Sequence, residues 1–515
     1  MKERNKCIVI GLDGATFDLI NPLIKAGKLP AIKKMMEEGS HGVLESTIPP
    51  LTGPAWVSFA TGKNPGKHGC YDFELPRDSL DEIETISSKD INSQTFYELL
   101  DREGKKCILI NLPCSYPPRI GGVVITDFLT RGSDFVFPES LKQKVPELKR
   151  YRVIPNHHAN ISKYIDDVRE LERVRFECAQ KLFREDWDFF FILFQGTDWI
   201  QHKIYHRLVA GECPAAVKFY QELDCYMKWF MDNAGEVPIL AMSDHGFCAY
   251  KKTFAINKWL MEEGYLKIKQ GQSKSSTAKD RTTLKVPLFL VNHRRFFVIA
   301  SFFYRVFKGI LPPITPVIRA APDTPSIAFS ILSSANGNCG GIYINAKERF
   351  SNGNIKAGDY ERVREEIMAK LEQLTDKDGI RVFSSVLRRE DIYSGGCLSK
   401  APDIFLFSEE HLICPFDGGK EGVLSNEHSP DGIFIAYGKD IRKGININNT
   451  KIIDLAPTIL HLMKLPIQRD VDGRVLKEIF KEDSQAAKRS IECRETSEAE
   501  RIRAKIKGLK SLGNI

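Results

Sequence analysis

Strand-length apolar runs that alternate with helically spaced segments constrain the fold of this chain more than any other feature. The runs are Cys7–Leu12, Cys107–Asn111, Val123–Thr126, Phe189–Phe194 and Pro238–Met242. Their apolar character is nearly continuous, which is the pattern of parallel strands buried on both faces. Leu29–Glu38, Gln94–Glu103, Ile165–Arg184 and Ala215–Ala234 carry helical spacing between them. The expected class is α/β, with a mostly parallel central sheet covered by helices on both sides.

In such a sheet, ligands gather in the crevice beyond the carboxyl ends of the strands. Asp13 follows the first run, Asp198 lies just past Phe189–Phe194, and Ser243-Asp244-His245-Gly246 follows Pro238–Met242. Cation-binding groups therefore fall along one edge. With Thr52, His202 and His428 the pool holds three Asp, three His and one Thr, enough for two divalent cations and one activated hydroxyl.

Each member has a plainer explanation when taken alone. Asp13 fits a helix cap or a turn. Thr52, in Pro50-Leu51-Thr52-Gly53-Pro54, fits a plain N-cap. It fits equally a hydroxyl at the positive end of a helix, where an alkoxide and an incoming phosphate are both favoured. Asp198 and His202 are spaced i, i+4 and share a helix face, either as a surface pair or as two ligands of one ion. His206 continues that spacing as a supporting or surface residue. Asp244 and His245 are adjacent, so both reach one ion only where the strand ends and the chain turns, which Gly246 permits. His428 precedes the strand Ile433–Tyr437. The argument for phosphoryl transfer rests on the set.

At 515 residues the chain exceeds one ordinary core, so one large domain with a substantial insertion, or two domains, is expected. Hydrophobic residues at 42% and charged residues at 27% are ordinary for a soluble enzyme. The net charge of +7 suits a small anionic substrate, without the Lys/Arg stripe that would indicate a nucleic-acid polymer. Twelve cysteines are spread singly with no Cys-x-x-Cys pair, and the N-terminus is no signal peptide, so a reducing, cytoplasmic location is expected.

Several motifs together resemble the alkaline phosphatase superfamily. They are Gly11-Leu12-Asp13-Gly14, Thr52-Gly53-Pro54-Ala55-Trp56, Thr61-Gly62 with Pro65 and His68-Gly69, Asp198 with His202, Ser243-Asp244-His245-Gly246, His428, and the closing Asp454 to Leu460 with Asp472-Gly473-Arg474. The likeness is strongest to the type I phosphodiesterase/nucleotide pyrophosphatase branch and to its members described as phosphohydrolase/phosphomutase. It implies a three-layer sandwich around a mostly parallel sheet, with a smaller α/β insertion or cap. It also implies two divalent cations, zinc or in its place manganese, one held by Asp13, Thr52, Asp244 and His245 and the other by Asp198, His202 and His428. Thr52 would attack phosphorus and form a phosphothreonine that water cleaves. The implied activity is hydrolysis of a phosphodiester or pyrophosphate of a small phosphorylated molecule. Phosphomutase, phosphotransferase and phosphomonoesterase activities are alternatives on the same site. Nucleotide pyrophosphatases carry Asn after Thr-x-Pro to hold a phosphate oxygen; Ala55 stands there in this chain, so that contact has to come from elsewhere, with the Gly53 amide a candidate, and the departure bears on diester specificity.

The expected organisation is a catalytic core over residues 1–254 and 423–482, an insertion or cap over 255–422 and a charged helical tail over 483–515. A polar stretch at 270–281 reads as a mobile loop. Ile342–Asn345, Asp359–Leu374 and Ile380–Leu387 suggest a small βαβ unit. The aromatic stretch 296–319, flanked by Arg and Lys, reads as a buried or lid helix, with peripheral membrane contact the less favoured reading. No heptad or edge strand indicates an oligomer.

Overall fold

Alternate side chains of the central strands point into two separate cores, and this sets the architecture. The computed structural model describes residues 5–80, 82–130, 134–267, 326–331, 337–416 and 424–495. Strands β1 (Cys7–Leu12), β2 (Ser40–Glu45), β3 (Cys107–Ile110), β4 (Val123–Ile125), β5 (Val136–Phe137), β6 (Phe189–Phe194), β7 (Ile239–Met242), β8 (Asp431–Tyr437), β9 (Ile445–Asn446) and β10 (Thr450–Lys451) form one ten-stranded sheet. Their order is β9-β2-β8-β7-β1-β6-β3-β4-β5, with β10 beside β2. The middle, from β7 to β4, is parallel. β8 is antiparallel to both β2 and β7, and β5 to β4.

Ile8, Ile10, Leu12, Phe190, Ile192 and Phe194 enter one core. There they meet helices that include α2 (Ile161–Leu182), α3 (Gly196–Val209) and Pro214–Ala234. Cys7, Val9, Phe189, Phe191 and Leu193 enter the other, against α1 (Thr52–Thr61) and the helix Leu455–Leu462. Every residue of β6 is 0% exposed, and burial of each such side chain contributes about 1.5–3 kcal/mol. The expected three-layer α/β class is what forms.

A second, four-stranded sheet lies outside this body, in the order Ala328–Phe329, Cys339–Ile344, Ile404–Phe407, Ser385–Arg388. The helix Ala357–Glu372 packs on it through Ile367 and Leu371. The expected βαβ unit forms in split form: Cys339–Ile344 and Ser385–Arg388, before and after the helix, both pair antiparallel with Ile404–Phe407 and so run parallel to each other with that strand between them. After the helix, Asp376 Oδ1 accepts from the amides of Asp378 and Ile380 and holds a turn, so the next strand starts at Ser385. That strand then pairs with Ile404–Phe407, a run the pattern had left unassigned.

The tail also differs from its expected helix over the residues described. A four-residue helix, Gln485–Lys488, is capped by Ser484, and Cys493–Arg494 then pairs with Ile467–Gln468 as a strand. The 270–281 and 296–319 segments lie outside the described residues. Among the described residues no helix is long and apolar enough to cross a membrane. All twelve cysteines are free thiols.

Candidate active site

β1, β6 and β7 run parallel and adjacent, so the residues that follow them emerge at one edge. Asp13 comes directly after β1, Asp244 and His245 just after β7, and Asp198 in the first turn of α3, which begins where β6 ends. Gly14 makes the junction possible. Its φ is +63°, its amide donates to Asp244 Oδ1 (3.1 Å), and a Cβ there would lie 3.3 Å from both Asp198 Oδ1 and His245 Cε1.

His428 arrives on the strand Ser425–Ser429, which pairs antiparallel with Gly246–Tyr250 and sets His428 opposite Phe247. Gly246 serves this pairing by its small size, since a Cβ there would strike the Asp431 carbonyl oxygen at 2.1 Å. His206 braces the same strand, with its amide and Nδ1 at 3.2 and 2.9 Å from Asn426 Oδ1.

Thr52 is the first residue of α1, whose N-cap is Leu51 and makes no side-chain cap bond. The hydroxyl is therefore no N-cap. Its Oγ1 stands 3.2 Å from His245 Nε2 and 3.5 Å from Asp13 Oδ1.

The imidazoles are oriented by their outer nitrogens. His245 Nδ1 lies 3.0 Å from the Gly246 carbonyl oxygen and His428 Nδ1 lies 3.1 Å from that of Pro50, so each donates there and turns a bare Nε2 inward. His202 Nδ1 lies 3.4 Å from Glu427 Oε2. Inside, Asp198 Oδ1 is 3.2 Å from both His202 Nε2 and His428 Nε2, which are 3.0 Å from each other. Asp244 Oδ2 is 3.3 Å and Asp13 Oδ1 3.7 Å from His245 Nε2. Asp198 Oδ1 and Asp244 Oδ2 are nevertheless buried without a hydrogen-bond partner. Lone pairs facing lone pairs at these distances fit cations between them. The groups Asp13, Asp244, His245 and Asp198, His245, His428 each converge within 4.8 Å, and the His245 and His428 rings stack 3.6 Å apart.

Residues 7–431 match the family model for type I phosphodiesterase / nucleotide pyrophosphatase. The chain belongs to this family. It is thus a phosphoester hydrolase of a metal-dependent class. Phosphonoacetate hydrolase from Sinorhizobium meliloti 1021, solved with phosphonoacetate, has the same fold at 17% identity and a TM-score of 0.54, covering 90% of this chain and 95% of that one. Murine ectonucleotide pyrophosphatase / phosphodiesterase 5 superposes at 12% identity and a TM-score of 0.52, covering 92% of this chain and 100% of that one. An inactive Thr-to-Ala form of the murine protein in complex with AMP aligns at a TM-score of 0.50 and 12% identity, covering 90% and 95%.

In this member of the family the cluster's electrostatics are those of crowded carboxylates. Burial, then the charges of Asp244 and Asp198, hold the Asp13 carboxyl well above its usual range. Asp244 is pushed up to about 7, first by burial and then by Asp198, against the Gly14 amide. For Asp198, burial is overcome by the facing His202 and His428, which hold it far below the ordinary value. His202 rises in return, against burial, through Asp198, whereas burial lowers His245.

Ala55, where nucleotide pyrophosphatases carry Asn, is 0% exposed and packs in the core with Trp56 and Phe59. The departure from that pattern therefore falls inside the core. Gly53, beside Thr52, faces Phe73 and Ile86, and a Cβ would meet either at 3.2 Å. Ile86 in turn lines a cavity of about 250 Å³ together with Lys89, Tyr116, Asp127 and Thr130. Sequence reading passed over this cavity, because its walls come from loops without a periodic pattern.

Asp127 is buried there, with Oδ1 accepting from the Leu129 amide (2.6 Å) and Oδ2 unpartnered. Burial pushes its carboxyl up to about 7, against the pull of nearby amides. A raised carboxyl contributes stability that is fully present below the ordinary value of 3.8 and is lost as pH rises through about 7. Asp127→Asn is expected to flatten that loss. Thermal melting of both proteins between about pH 4 and 8 measures it.

Proposed function

We propose that this chain hydrolyses a phosphodiester or pyrophosphate of a small phosphorylated molecule, with Thr52 as nucleophile and two divalent cations held by the Asp/His cluster. The observation that carries the reading is the Thr52 hydroxyl, free of any capping role and set against His245 and Asp13. One cation falls to Asp13, Thr52, Asp244 and His245, and the other to Asp198, His202 and His428. Imidazole ligands favour zinc, with manganese as a substitute. Cations bound there would lower the hydroxyl's pKa and offset the charge on the transferring phosphoryl group.

The chain's own residues supply the rest. The Thr52 oxygen bonds to phosphorus as the bond to the leaving oxygen breaks, and water then cleaves the phosphothreonine. The start of α1 directs the positive end of its dipole at the phosphate, with the Gly53 amide as a contact for a non-bridging oxygen. The cavity beyond Ile86 receives the group on one side of the phosphorus. The inactive Thr-to-Ala form of the murine relative supports the choice of nucleophile.

Dialysis against a chelator is expected to abolish hydrolysis of nitrophenyl phosphodiesters, and added Zn²⁺ or Mn²⁺ to restore it. Full activity in metal-free protein would contradict the reading. Glu427, which orients His202, is the supporting carboxylate that the motif match passed over although it adjoins His428. Glu427→Gln is expected to weaken cation binding roughly 10- to 100-fold, measured by competition with a chelating dye.

A further inference from the structure

The buried pair Glu172–Arg175 on α2 takes no part in the chemistry above. Both residues are fully buried, and the desolvation cost of such a pair is often as large as its attraction. Its contacts give it a use. Glu172 Oε1 accepts from the amides of Gln195 (2.9 Å) and Gly196 (2.7 Å), where α3 starts. Arg175 Nη1 holds both carboxylate oxygens at 2.7 Å, and its Nε donates to Tyr151 Oη at 3.2 Å. α3 has no side-chain cap of its own, so a carboxylate from another helix caps it.

The first turns of α3 are where the cluster is aligned. Thr197 Oγ1 donates to the Asp13 carbonyl (2.5 Å), and Gln201 Nε2 donates to that of Gly14 (2.8 Å). Gln195 accepts from Asn111 Nδ2 (2.9 Å) and extends its own amide toward Asp13 Oδ2 (3.4 Å). Asp198 and His202 follow on the same helix. A shift at the cap therefore moves groups on both sides of the cluster.

We propose that Glu172, oriented by Arg175, is a positioning residue for Asp13, Asp198 and His202, acting through its oxygen on the Gln195 and Gly196 amides. The proposal rests on the cation-binding reading given above. Two double variants of the full chain separate this role from packing. Glu172→Gln with Arg175→Met removes both charges but keeps an oxygen for the two amides, whereas Glu172→Met with Arg175→Met removes the oxygen as well.

The glutamine variant is expected to bind Zn²⁺ within about threefold of wild type. The methionine variant is expected to bind it roughly 10- to 100-fold more weakly, with kcat falling more than KM rises. Equal Zn²⁺ affinity and equal kcat in the two variants would overturn the proposal and leave the pair a packing element. If the methionine variant loses its fold by circular dichroism, Glu172→Asp replaces it, since the shorter side chain withdraws the oxygen. Wild-type Zn²⁺ affinity in Glu172→Asp would then overturn the proposal. Failure of the wild-type chain to bind Zn²⁺ or Mn²⁺ at all is a separate result, which contradicts the cation reading itself.

Discussion

Thr52→Ala is expected to lower kcat by on the order of 10⁴- to 10⁶-fold, the scale on which loss of a nucleophile acts in enzymes of covalent mechanism. The substitution leaves the rest of the site standing. Thr52 makes no cap bond, and as the first residue of α1 it leaves the helix interior unchanged when replaced by alanine. The core that holds α1, through Trp56 and Phe59, is untouched. The melting temperature should therefore stay within a few degrees of wild type, and six of the seven proposed cation-binding side chains remain. Thr52→Ser, which keeps the oxygen, should recover a large part of the rate. Steady-state kinetics on a nitrophenyl phosphodiester, paired with thermal melting, read both effects. Near wild-type kcat in Thr52→Ala would transfer the attack to water and end the role given to this residue.

Asp198→Asn carries the second large effect. The Asp198 carboxylate is the single negative charge set between the Nε2 atoms of His202 and His428, and their pull holds it ionised despite burial. Asparagine keeps the shape and removes the charge. The His202 and His428 Nε2 atoms, 3.0 Å apart, then face each other with no carboxylate between them. The expected outcome is loss of one equivalent of bound cation and a fall in kcat beyond the roughly 100-fold that marks supporting residues. Metal analysis of the purified variant against wild type measures the first, and kinetics the second. Two equivalents retained with unchanged kcat would contradict the division of the ligands into two sets.

Much of this was legible in the chain because the physics behind it is local. Continuous apolar runs such as Phe189–Phe194 are buried on both faces and can be little else, so the parallel middle of the sheet was readable from them. Asp13, Asp198 and Asp244-His245 stood out because each closes such a run. His428 carried no local signal; an antiparallel pairing with Gly246–Tyr250, set by tertiary contacts, brings it in. The same holds for the antiparallel second sheet, where Ile404–Phe407 inserts between strands that the pattern had joined in parallel. Glu172 and Glu427 were illegible for a different reason. A lone glutamate in a helix or strand looks like solvated surface until the structure shows what its oxygens touch.

The most direct test of the account is to quench the zinc-loaded protein with acid during turnover of a phosphodiester and to weigh its peptides. The expected result is the mass of one phosphoryl group on the peptide that contains Thr52, absent from Thr52→Ala. Steady turnover with no phosphorylated peptide, or with the phosphoryl group on another residue, would contradict it.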